Sequence, residues 1–76
     1  MSSIHDPRYQ CMIAKLIELR EAKHVTQSKL ASSLNKPQSY IAKVENFERR
    51  LDILELYDWV SALDEDILKF LQYTIY

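Results

Sequence analysis

The sequence predicts an all-α fold, and three features carry that prediction. Apolar residues recur at three- and four-residue intervals in five segments, the period that lines up one face of a helix. No segment of any length alternates polar and apolar residues as a half-buried strand does. Capping residues and prolines stand where these segments should begin and end.

The first helix opens at Asp6-Pro7, an N-cap acid followed by proline at the first helical position, and runs to about Lys23. Its stripe is Tyr9, Met12, Ile13, Leu16, Ile17 and Leu19. Thr26 caps the second helix, with Leu30, Ala31 and Leu34 facing inward. Asn35-Lys36-Pro37 breaks it, and Pro37 restarts a third helix that buries Tyr40, Ile41 and Val44. After the charged connection Phe47-Glu48-Arg49-Arg50, Asp52 and Glu55 are spaced as a capping box for the fourth helix. Its expected stripe is Ile53, Leu56, Tyr57, Val60 and Leu63, with Trp59 on the flank. Asp64-Glu65-Asp66 is expected in the first turn of the fifth helix, where the dipole favours acids. Ile67, Leu68, Phe70, Leu71 and Tyr73 follow, and the β-prone ending Tyr-Thr-Ile-Tyr is free to fray, extend or add to a partner.

Seventy-six residues, 47% apolar and 28% charged, fit one small globular domain, residues 1–76. A chain this short buries only about 60–65% of its unfolded surface, so its packing must be efficient or shared with a partner. No apolar run approaches the ~20 residues of a membrane span. The opening MSSIHDPRYQ has neither a basic nor an apolar leader region, and the single Cys11 excludes an internal disulfide. Both fit the cytoplasm. Cys11 and Met12 are expected to be core or half-buried. The chain has no glycine, so other residues must take any left-handed turn positions.

The second and third helices, with landmarks on either side, resemble the helix-turn-helix of the phage repressor and Cro family, the Xre-type regulators. The matching residues are Leu16, Leu19-Arg20, Thr26-Gln27, Leu30-Ala31, Leu34, Lys36-Pro37-Gln38-Ser39-Tyr40-Ile41, Val44-Glu45-Asn46 and Arg49-Arg50-Leu51-Asp52. The likeness extends to Ala62-Leu63, covering roughly residues 12–63. It implies a five-helix repressor-like domain that lays its third helix in the major groove of double-stranded DNA. The family often has glycine where this chain has His24, Asn35 and Phe47, which marks these as candidate left-handed positions.

A recognition helix presents its N-terminal residues to base edges, which here are Gln38, Ser39, Ala42 and Lys43. The Gln38 amide suits adenine, accepting from N6 and donating to N7. Lys43 suits guanine or a phosphate, and Ser39 bonds any edge. Gln27, at the N-terminus of the second helix, faces a phosphate in the reading the resemblance implies, and also steadies Gln38. Lys36, Tyr40, Asn46, Arg49 and Arg50 are the remaining candidate phosphate contacts, with Lys29 a weaker one. Tyr40 is equally readable as a core residue. The resemblance also implies an internal ion pair between Arg20 and Glu45, which makes both scaffold.

A formal net charge of −1 looks wrong for a DNA reader until it is divided. Lys29, Lys36, Lys43, Arg49 and Arg50 against Glu45 and Glu48 give residues 29–50 a charge of +3. Residues 51–76 carry −5, from Asp52, Glu55, Asp58, Asp64, Glu65 and Asp66 against Lys69. A run of surface cations alone is most often solvation; coincidence with the motif gives it weight.

His5 and His24 have no clustered ligands around them, and nothing resembles a nucleophile elbow, so neither a metal, a cofactor nor an enzyme activity is expected. The aromatic ending is expected to make a homodimer interface from Trp59, Phe70, Leu71, Tyr73, Ile75 and Tyr76, with residues 64–76 as dimerisation helix and tail. The reading is therefore a homodimeric repressor acting on a pseudo-palindromic operator. The alternative is an antitoxin or other interaction module that binds a partner protein such as a toxin through this C-terminal surface. A controller of restriction and modification is a further variant of the regulator reading.

Overall fold

The computed structural model describes residues 4–75, and of Ile75 only the backbone. Five helices follow in order: α1 (Pro7–Ala22), α2 (Gln27–Leu34), α3 (Gln38–Glu45), α4 (Ile53–Ala62) and α5 (Ile67–Ile75). Their N-termini follow the expected chemistry. Asp6 accepts from the Arg8 N–H at 2.8 Å and Thr26 from the Lys29 N–H at 3.0 Å. Asp52 and Glu55 close a reciprocal capping box, each side chain taking the other's backbone N–H at 2.8 and 2.9 Å.

The C-termini solve the missing-glycine problem four times over. His24, Asn35, Phe47 and Asp64 all sit in the left-handed region, with φ of 59°, 56°, 61° and 66°. Each follows a helix, and in each case its N–H and the next one fold back on the last turn. Val25 N donates to Arg20 O at 3.0 Å, Lys36 N to Ala31 O at 2.9 Å, Glu48 N to Lys43 O at 2.8 Å and Glu65 N to Val60 O at 3.1 Å. This is the Schellman arrangement, which satisfies otherwise orphaned helix carbonyls. Non-glycine residues in this region cost about 1 kcal/mol or more each, asparagine least. The first three positions were expected from the resemblance; Asp64 was not.

One apolar cluster draws on all five helices: Ile13 and Leu16, Leu30 and Ala31, Ile41 and Val44, Leu51, then Leu56, Trp59, Val60, Leu63 and Phe70. Trp59 is its largest fully buried side chain, with its ring 5.9 Å from that of Tyr40. Its Nε1 has no hydrogen-bond partner among the described residues, a cost of about 1–3 kcal/mol that burial of the indole must offset.

Several expectations need correction. The buried stripe of α4 is Leu56, Trp59, Val60 and Leu63, turned toward the indole, so Ile53 and Tyr57 are exposed. An indole removes more apolar area from water than a phenol, and the rotation of the helix follows it. Trp59 and Phe70, expected at a dimer interface, lie in the core of the chain at 0% and 4% exposure. Leu71 is half-buried and Tyr73 exposed, while the Ile75 side chain and Tyr76 fall outside the described residues. Leu68 is exposed as well. Cys11 is exposed, not core. The acids 64–66 precede α5 instead of forming its first turn, with Asp66 capping it through the Leu68 N–H at 2.8 Å. The β-prone ending is helical through Ile75.

Candidate nucleic-acid interface

Helices α2 and α3 are joined by Asn35, Lys36 and Pro37, and the left-handed Asn35 turns the chain sharply between them. Ala31 is buried in α2, where its methyl group leaves room for the neighbouring helices. Ile41 and Val44 anchor the inner face of α3. This leaves Gln38, Ser39 and Lys43 exposed on the outer face and Ala42 half-buried beside them.

Behind that face lies a buried ion pair. Arg20 Nε and Nη2 donate to Glu45 Oε2 and Oε1 at 2.7 and 3.1 Å, and Nη1 donates to the Val25 carbonyl at 2.8 Å. The two residues are 9% and 8% exposed, so loss of either would strand a buried charge. The pair expected from the family resemblance is present and ties α1 to the end of α3. From it a polar chain runs outward: Gln27 Nε2 donates to Glu45 Oε1 at 2.8 Å, and Gln38 Nε2 donates to Gln27 Oε1 at 2.7 Å. Thus Gln27 spends one N–H and its carbonyl inside the protein.

A second cluster gathers around Tyr40, in the first turn of α3. Lys36 Nζ and the Arg49 guanidinium lie 5.3 and 4.8 Å from the centre of the Tyr40 ring. Arg49 is also held by Glu55, at 3.2 and 2.9 Å, so its charge is already balanced. That pairing holds the Glu55 carboxyl below its ordinary value, helped by the Asp52 N–H. Of the two readings of Tyr40, the packing supports the core one. Its half-buried ring packs on Trp59, and burial pushes its phenol upward. The hydroxyl itself makes no hydrogen bond among the described residues. Lys29, Ser39, Lys43, Asn46 and Arg50 are exposed, and their side chains make no hydrogen bond to other described residues.

Sequence reasoning missed Tyr9 as an organiser of this face. Its hydroxyl donates to the Arg49 carbonyl at 3.5 Å and accepts from the Leu51 N–H at 3.2 Å, clamping the loop after α3 to α1. Burial raises its phenol pKa. Nothing in the sequence marks this contact, because the partners lie 40 and 42 residues away.

The helix-turn-helix family model, HTH_3, matches residues 16–70. A solved structure described as an XRE-family like protein from Pseudomonas syringae pv. tomato str. DC3000 is 40% identical, with a TM-score of 0.89. The match covers 95% of this chain and 88% of that one. The chain belongs to the XRE-type helix-turn-helix family. No curated protein matches it. The helix-turn-helix implies DNA binding, and the family is one of generally non-enzymatic regulators of transcription. No helix among the described residues is long and apolar enough to cross a membrane.

Proposed function

We propose that this XRE-type chain is a sequence-specific repressor, acting as a homodimer on a pseudo-palindromic operator, with residues 1–76 as one DNA-binding domain. The observation that supports it best is the exposed Gln38 amide at the start of α3, held at 2.7 Å by Gln27. A side chain positioned before DNA arrives loses less freedom on binding. Gln38, Ser39, Ala42 and Lys43 face the bases in this reading. Lys36, the Tyr40 hydroxyl, Asn46 and Arg50 take phosphates. Arg49 acts mainly by stiffening the loop, and Gln27 has a single N–H left for a phosphate.

The dimer face in this proposal centres on the exposed apolar residues Ile53, Leu54 and Tyr57 of α4 and Leu68 and Tyr73 of α5. A two-fold pair would set two half-sites about 34–36 Å apart, one turn of the duplex.

Selection of bound sequences from a random double-stranded pool tests the reading. A palindrome with that spacing is the expected result, with affinity that falls steeply with salt. No enriched sequence, or a flat salt response, would overturn it. Exposed apolar area on α4 and α5 also suits capture of a partner protein such as a toxin. A one-to-one complex with such a protein, formed at the expense of the homodimer, would favour that second reading.

A further inference from the structure

Leu68 and Tyr73 are both exposed on α5, yet five positions separate them, about 140° around a helix. They therefore stand on different sides of it. Tyr73 turns toward α1, where Lys15 Nζ lies 5.2 Å from the centre of its ring. The same two helices border a groove of about 630 Å³. Leu19 and Ala22 line it from α1, and Phe70 and Tyr73 from α5. Most of its surface is apolar.

The charges around this groove do not balance. Lys15 pairs with Glu18 at 3.6 Å and Lys23 with Glu65 at 3.5 Å, so each acid in the lining already has a cation. Lys69 is left over. It lines the groove, is exposed, and makes neither an ion pair nor a hydrogen bond among the described residues. It is also the one basic residue in the sequence from 51 to 76, a stretch that is otherwise acidic. The Lys15 side chain, two-thirds buried on the opposite wall, adds a second positive charge facing the same space.

An apolar groove of this size with a few polar groups has the form of a small-ligand site, typically about 300–1,000 Å³. Burying an apolar chain along Leu19, Phe70 and Tyr73 would supply affinity, and an anionic head would give Lys69 a partner. We infer that the α1–α5 groove binds a small apolar carboxylate, with the carboxylate at Lys69. The inference goes beyond the DNA-binding reading and does not depend on it.

Decanoate is the probe, with decanol and decyltrimethylammonium as its neutral and cationic counterparts. Each is titrated below its micelle concentration against the full chain and followed through backbone amide resonances. Decanoate should bind most tightly of the three and shift the amides of Leu19, Ala22, Lys69 and Tyr73 most. Lys69→Glu, at an exposed position, should weaken decanoate by about two- to fivefold, the scale of an exposed ion pair, and leave decanol unchanged. Ala22→Trp should fill the groove and suppress binding of all three, with thermal unfolding as the check on each variant's fold. Equal affinity for the three probes, or no response to Lys69→Glu, would overturn the anionic assignment. Shifts centred on Leu54 and Tyr57 of α4, or undiminished binding to folded Ala22→Trp, would overturn the location. Absence of binding would overturn both.

Discussion

Among α1, α2 and α3, polar side chains are tied in series from a buried charge to the surface: Arg20, Glu45, Gln27, Gln38. On α4 and α5 the surface is of the opposite kind. Ile53, Leu54, Tyr57, Leu68 and Tyr73 are each more than half exposed, and Lys15 Nζ lies 5.2 Å from the centre of the Tyr73 ring. One flank carries directional groups in defined orientations, and the other carries contact area without direction. Hydrogen bonds discriminate between partners of similar shape, whereas apolar area supplies affinity with little orientation of its own. The first flank therefore suits reading a base edge and the second suits association.

Substitutions can break this contrast at either end. The largest effect is expected at the buried pair. Arg20→Ala leaves Glu45 stranded and should cost about 3–5 kcal/mol in chemical unfolding. Leu54→Lys on the apolar flank should change protomer stability by less than about 0.5 kcal/mol. It should instead lower the sedimentation mass at a fixed concentration if that flank associates. An equal loss of stability at both sites would erase the contrast.

Tyr9→Phe comes next. It removes the acceptor for the Leu51 N–H and should cost about 1–2 kcal/mol. Amide exchange should quicken in residues 49–51 in particular, since the loop loses its tie to α1. His24→Gly has the opposite sign, an expected gain of about 0.5–1 kcal/mol from relief of the left-handed conformation. Phe47→Gly should not show that gain, because its ring packs against the core.

The smallest effect concerns pH. Arg49 holds Glu55 below its ordinary 4.5, so the pair contributes stability above that pH and loses it as acid protonates the carboxylate. Arg49 is 41% exposed, so screening keeps this below about 1 kcal/mol. Glu55→Gln retains a capping-box side chain yet should flatten the acid limb of the stability curve.

The two flanks also differed in how far the sequence disclosed them. Helix starts were legible because Asp6, Thr26 and Asp52 act on backbone only two or three residues away. The Arg20–Glu45 pair was legible only through resemblance, since 25 residues separate them and no local rule joins them. The link from Gln27 to Glu45 and the Tyr9 clamp went unread for the same reason. On α4 the helix was evident but its rotation was not. Tyr57 and Trp59 both suit an inward position, and only the shape of the shared core decides that the indole goes in. Asp64 escaped notice because acidic residues fit a helix start as well as a left-handed stop, and here Asp64 ends α4 while Asp66 begins α5.

The central claim is that α3 reads DNA from the major groove through Gln38. Binding to a selected operator, compared with the same operator carrying 7-deazaadenine at the selected adenine, tests it most directly. Removing N7 deletes one acceptor and leaves pairing intact, so wild type should lose about tenfold in affinity, or about 1.4 kcal/mol. Gln38→Ala should bind both duplexes alike. Wild-type binding that does not change on loss of N7 would contradict the account.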